Sequence, residues 1–80
     1  MNSMKFQIGK NGITDEVIKT LNTAFRNHKQ IRISALKSSG RSKETMEKMA
    51  EQLKRRLQYQ ILYKVIGFTI VVNRRGMIKK

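Results

Sequence analysis

The 80-residue chain carries 18 Lys and Arg against five Asp and Glu, a formal charge of +13 at pH 7. That length suits one domain with a small core, and with no Cys there is no disulfide frame, thiolate nucleophile or zinc knuckle. No apolar run reaches the roughly 18–20 residues of a membrane span and no signal-peptide core stands at the start, so a cytoplasmic protein without membrane contact is expected.

Lys5-Phe6-Gln7-Ile8 alternates polar and apolar residues, as a half-buried strand does. Gly9-Lys10-Asn11-Gly12 follows as a loop. Thr14 then stands as an N-cap with Asp15 and Glu16 in the first turn, and Ile13 is placed to staple onto Ile18. Val17, Ile18, Leu21, Ala24 and Phe25 recur at helical spacing and predict a first helix running to about Asn27 or His28. Ile31, Ile33 and Ala35 alternate with Arg32 and Ser34 in a second strand. Lys37-Ser38-Ser39-Gly40-Arg41 reads as a loop by composition. Ser42 caps a second helix with an apolar stripe of Met46, Met49, Ala50, Leu53 and Leu57. Two β-rich runs, Tyr59 to Ile66 and Phe68 to Asn73, flank Gly67 as a tight-turn residue. Arg74-Arg75-Gly76-Met77-Ile78-Lys79-Lys80 reads as a basic extension, unstructured when free.

The order β-α-β-α-β-β predicts an α+β two-layer sandwich, a four-stranded mixed sheet with two helices on one face. Right-handed crossovers put both helices on the same side, and the last two strands form an antiparallel hairpin. With the apolar alternates turned to the helices, the other sheet face carries Lys5, Gln7, Arg32, Ser34, Lys64 and Thr69. One domain spans residues 1–80, its core at about 5–75 and its basic tail at 74–80.

The charge is unevenly placed. All five acids, Asp15, Glu16, Glu44, Glu47 and Glu51, lie on the two predicted helices. Glu44 with Lys48 and Glu51 with Arg55 are i,i+4 pairs. From Val17 to Lys43 there are seven basic residues and no acid, and from Gln52 to Lys80 eight more and none. The uncompensated charge therefore belongs to strands, loops and tail. Such self-repulsion is tolerated where a polyanion neutralises it, although a merely solubilising surface is the blander reading.

Two glycines three apart let the Gly9–Gly12 loop turn tightly and approach a partner closely, with Lys10 and Asn11 at its tip. In a basic chain this reads as a grip on a phosphate backbone; a plain βα turn would use the same glycines. Asp15 and Glu16 already oppose the positive end of the first helix, and no Walker A pattern exists, so contact is expected at the loop tip and not at the helix end.

Gln7-Ile8-Gly9-Lys10-Asn11-Gly12-Ile13-Thr14-Asp15-Glu16-Val17-Ile18 resembles the CRM domain (chloroplast RNA splicing and ribosome maturation; YhbY-like). The resemblance returns at Tyr63-Lys64-Val65-Ile66-Gly67-Phe68-Thr69-Ile70-Val71-Val72 and at Arg74-Arg75, and it spans roughly residues 5 to 75. It implies an RNA-binding module with a fold similar to the C-terminal domain of translation initiation factor 3. Stand-alone prokaryotic members are associated with large-subunit ribosome precursors, and plant members with intron splicing. Carried over by position, the family's loop is Gly9, Lys10, Asn11 and Gly12. The family usually has a further helix before the first strand, where only Met1 to Met4 stand here, so one sheet face is expected to be bare or covered by the tail or a partner.

Catalysis has no foothold in the residue pattern. His28 is alone, with no Cys and no second His to build a nucleophilic pair or a metal cluster, and Glu47 and Glu51 sit among lysines on a solvated helix face. Phe6, Phe25 and Phe68 fit core positions; Tyr59 and Tyr63 are more open, and an amphipathic Tyr on a basic sheet can stack a base. The expectation is thus a non-enzymatic, monomeric RNA-binding protein without cofactor or metal, its partner ribosomal RNA or a ribosomal precursor particle. The expected RNA-binding residues are Gly9, Lys10, Asn11, Gly12, Lys5, Arg32, Lys37, Arg41, Lys64, Arg74 and Arg75. The alternative is an Alba-like architectural nucleic-acid-binding protein, whose element order is similar but whose third and fourth strands form a long hairpin lacking here.

Overall fold

The alternating and capped segments become six elements in a computed structural model that describes residues 4–37, 40 and 42–78. These are β1 (Met4–Ile8), α1 (Asp15–Ala24), β2 (Gln30–Ala35), α2 (Lys43–Arg56), β3 (Tyr59–Ile66) and β4 (Thr69–Ile78). The sheet order is β1-β2-β4-β3. β1 runs parallel to β2, and β4 is antiparallel to both β2 and β3. The mixed α+β sandwich expected from the element order is present.

Capping chemistry fixes where both helices begin. The Thr14 hydroxyl accepts from the Val17 amide at 3.2 Å and the Ser42 hydroxyl from the Thr45 amide at 3.1 Å, each satisfying an otherwise orphaned donor. α1 ends at Ala24, earlier than its apolar spacing predicts. The amides that follow tighten into three-residue loops, Arg26 N–H donating to the Thr23 carbonyl and Asn27 N–H to Ala24, and His28 N–H closes on the same Ala24 carbonyl. Phe25 remains in the core nonetheless, with no exposed surface.

One apolar cluster joins the layers. Ile18 and Leu21 from α1 and Met46, Met49, Ala50 and Leu53 from α2 pack on Ile8, Ile31, Ile33, Ile70 and Val72 of the sheet. These are one set of alternate strand positions, as the pleat requires. The other set forms a second sheet face on which no helix among the described residues packs. Its registered rows run Lys5, Arg32, Val71, Lys64 and Gln7, Ser34, Thr69, Ile66.

The reading of residues 74–80 as an unstructured tail is corrected, because β4 continues to Ile78. Arg74 pairs with Ile61 and Ile78 with Tyr59, and a bulge between Tyr59 and Ile61 takes up the extra residues around Gly76. Ladder hydrogen bonds outweigh the loop-like composition of Arg-Arg-Gly. Lys79 and Lys80 lie outside the described residues. No helix among the described residues is long and apolar enough to cross a membrane.

Candidate nucleic-acid interface

The Gly9–Gly12 loop is a closed turn. The Gly12 amide donates to the Gly9 carbonyl at 3.1 Å, and Lys10 and Asn11 occupy the two central positions, both exposed. Gly12 holds φ +65°, the left-handed region that costs a residue with a Cβ. A Cβ built there would meet nothing within 4 Å, so the backbone angle and not internal crowding explains the glycine. The same emptiness leaves the turn open to an outside partner.

Strand pairing brings three connections to one end of the sheet. The Leu36 amide donates to the Ile8 carbonyl and the Ala35 amide to the Phe68 carbonyl, each at 2.9 Å. The β1–α1 turn, the β2–α2 loop and the β3–β4 turn therefore stand side by side. Each contains a glycine with positive φ, Gly12, Gly40 and Gly67 respectively. Lys10 and Lys37 project from this end, both exposed. Arg41, expected beside them, lies outside the described residues.

A second group of cations lies on the helix-free sheet face. Lys5 and Arg32 are adjacent in register, and Lys64 follows across Val71; all three cations are exposed. Neighbouring like charges on a sheet face destabilise it. With strands about 4.8 Å apart, the row spans roughly 14 Å, and its distance to the Gly9–Gly12 turn along β1 is about 13 Å. Both groups can therefore meet one polyanion. Alternation along β4 puts Arg75 on the same face, exposed, farther from the turn.

Arg74 is separated from these groups. It points to the helix side at the opposite end of the sheet, half-buried. Its guanidinium donates to the Phe25 carbonyl at 2.5 Å and lies 5.7 Å from the centre of the Tyr59 ring. Its amide donates to the Lys29 carbonyl at 2.8 Å. The side chain thus satisfies a carbonyl at the end of α1 and caps an aromatic pair, Phe25 and Tyr59, whose ring centres are 6.2 Å apart.

The tyrosines are not open platforms for bases. Tyr59 is buried in the core. Tyr63 is half-buried on the helix side and donates its hydroxyl to the Glu51 carboxylate at 2.5 Å. That hydrogen bond, then desolvation, raises the phenol pKa above its ordinary value. Period-2 alternation carries both residues to the packed face, a consequence of the register that the sequence reading did not apply to them. Phe68 departs the other way: placed in the core by sequence, it is 42% exposed because it lies in the β3–β4 turn. Lys43, at the first position of α2 beside that turn, was not singled out in the sequence; only its place after the Ser42 cap could have marked it.

No group of three or more His, Cys, Asp or Glu side chains able to hold a metal exists among the described residues. The ion pair found there joins Arg56 to Asp15, linking the end of α2 to the start of α1. Glu44–Lys48 and Glu51–Arg55, expected from spacing, form no ion pair among the described residues.

Comparison with known proteins adds an independent line. The fold is similar to the solution structure of the hypothetical protein SAV1595 from Staphylococcus aureus, described as a candidate RNA-binding protein. The TM-score is 0.71 at 26% sequence identity, and the match covers 100% of this chain and 78% of that one. A search of curated proteins by sequence finds no match. The family model of the CRS1 / YhbY (CRM) domain matches residues 2–74. With that match covering nearly the whole chain and the fold agreeing, this protein belongs to the CRS1/YhbY (CRM) domain family.

Proposed function

We propose that this chain is a non-enzymatic RNA-binding protein that acts on ribosomal RNA, during large-subunit assembly or within the particle. The observation that carries the reading is the exposed Lys10–Asn11 tip, held by the Gly9–Gly12 turn, at the end of a sheet in a chain of charge +13. Family membership and the RNA-binding description of the structural neighbour support RNA as the partner. The ribosomal target rests on what prokaryotic members of the family are associated with.

The loop supplies backbone amides and a lysine to phosphates, and the row Lys5, Arg32, Lys64 extends the contact across the sheet. Phosphate contacts of this kind provide affinity and register but little sequence information. Discrimination of one RNA from another then comes from its shape and its unpaired nucleotides. A single copy suffices for this surface.

Crosslinking in cells with sequencing of the bound RNA tests the target, and recovery of ribosomal RNA segments is the expected result. Recovery of messenger RNA alone would overturn the ribosomal assignment. Binding to structured ribosomal RNA and to duplex DNA at matched salt tests the class, with RNA preferred. Equal, length-dependent coating of DNA would favour the architectural alternative.

A further inference from the structure

The helix-free sheet face carries two neighbouring rows of different chemistry. One is Lys5, Arg32, Val71 and Lys64; the next, toward the Gly9–Gly12 turn, is Gln7, Ser34, Thr69 and Ile66. Gln7, Ser34 and Thr69 stand on adjacent strands, so their hydrogen-bonding groups form a line about 10 Å long. Gln7 is exposed, and Ser34 and Thr69 are half-buried. The two hydroxyl oxygens lie 3.5 Å apart, long against about 2.7–2.8 Å for an ordinary O–H···O contact. That loose contact leaves the pair donor and acceptor capacity for an outside group.

Cations flank this neutral strip on both sides. Lys5, Arg32 and Lys64 border it along the sheet, and Lys10 and Lys37 project beyond it at the loop end, all of them exposed. About 13 Å separates Lys5 from the turn along β1. No acid falls on this face, because all five belong to α1 and α2 on the opposite side. Alternation also turns Phe6, Tyr59 and Tyr63 toward the helices, so the described strands present no ring here on which an unpaired base could stack. A strip of short polar side chains between two lines of positive charge suits a shallow groove between two phosphate backbones. The A-form minor groove is wide and shallow and displays ribose 2′-hydroxyls. B-form DNA offers a minor groove only about 6 Å wide or a major groove about 8.5 Å deep, and a flat strip matches neither.

We propose that this face reads the minor groove of a double-helical RNA stem. Gln7, Ser34 and Thr69 exchange hydrogen bonds with ribose 2′-hydroxyls, Lys5, Arg32 and Lys64 follow one phosphate backbone, and Lys10 and Lys37 meet the other. A 2′-hydroxyl both donates and accepts, as do the Ser and Thr hydroxyls and the Gln amide, so the strip tells RNA from DNA without reading a base. This inference rests on the RNA-binding reading above and deepens it, naming a paired stem as the target and the side chains that recognise its ribose.

The test uses fluorescence anisotropy of the full chain at low salt with three RNAs: a fully paired hairpin, the same hairpin with 2′-fluoro riboses in its stem, and a structured ribosomal RNA fragment. The fluoro stem stays A-form but has no hydroxyl to donate. The wild type should bind the unmodified stem about tenfold more tightly than the fluoro stem, as two or three modest hydrogen bonds would give. Ser34→Ala with Thr69→Val removes both partners of one contact and orphans neither. It should cut that preference to about twofold, the loss falling on the unmodified stem alone. Equal wild-type binding to the two stems, or an undiminished preference in the folded double variant, overturns the ribose reading and leaves the RNA reading standing. Binding of the ribosomal fragment but of neither stem does the same. Failure to bind any of the three overturns the RNA reading itself. If the double variant does not fold by circular dichroism, the exposed Gln7→Ala decides: it should lose about two- to threefold of the preference, and its keeping the whole overturns the proposal.

Discussion

Replacing Arg74 by Ala should cost stability and spare RNA binding, while replacing its neighbour Arg75 should do the reverse. Arg74 donates a charge-assisted hydrogen bond to the Phe25 carbonyl, a class of contact worth about 1.5–3 kcal/mol. Its position over the Tyr59 ring adds about 0.5–1 kcal/mol. The side chain is half-buried, so solvent competes for both contacts, and a net loss of about 2 kcal/mol is the working value. A domain this small has roughly 4–12 kcal/mol in total. At about 4–8 °C per kcal/mol, the melting temperature should fall by roughly 8–16 °C. Arg74→Lys should recover less than half, because an ammonium cannot present the planar fork to carbonyl and ring together.

Arg75→Ala, by contrast, removes an exposed cation from the helix-free face, with melting unchanged and RNA affinity lowered. Thermal unfolding by circular dichroism and RNA anisotropy at 15 °C, where both variants remain folded, read the two effects separately. An Arg74→Ala protein that melts like the wild type but loses RNA affinity as Arg75→Ala does would refute the assignment of Arg74 to the fold.

Why Arg74 and Arg75 differ was not legible in the sequence. Alternation along a strand separates them at once, but only if residues 74 and 75 are known to be in a strand, and Arg-Arg-Gly has the composition of a loop. What extends β4 is the opposite strand: the Tyr59–Ile61 bulge and the Tyr59–Ile78 pairing lie far away in the chain. The tyrosines failed for a related reason. Tyr59 and Tyr63 share the parity of Ile61 and so face the helices, yet tyrosine chemistry alone suggested an open position.

Much else was legible because its causes are local. Ser42 and Thr14 cap helices whatever surrounds them, and the Met46, Met49, Ala50, Leu53, Leu57 stripe follows from the helical period. Lys5, Arg32 and Lys64 were foreseen on one face by alternation, but their alignment in a single row required the sheet order β1-β2-β4-β3. The Gly9–Gly12 turn could be read as a loop with a basic tip. That it stands beside Gly40 and Gly67 depends on two hydrogen bonds between distant segments, from Leu36 to Ile8 and from Ala35 to Phe68.

Core substitutions should act through the cavity they leave: Leu21 and Leu53 have no exposed surface, so either change to Ala should cost about 2–5 kcal/mol. Urea unfolding measures it, and a full-strength midpoint in either variant would contradict the packing described. RNA affinity should fall steeply with salt, with a log–log slope near −0.7 to −0.9 per phosphate over roughly five to eight phosphates; a flat titration would exclude phosphate-dominated binding. The loop gives the cleanest separation of turn from site. Lys10 and Asn11 are exposed and Gly12 alone in the turn needs positive φ, so Lys10→Ala with Asn11→Ala should melt like the wild type and bind RNA at least several-fold more weakly. Gly12→Val should lose stability as well, by about 1–2 kcal/mol from the strained angle. Unchanged RNA affinity in the folded double variant would reduce the turn to a connector between β1 and α1, and would leave the row Lys5, Arg32, Lys64 as the surface that meets the phosphates.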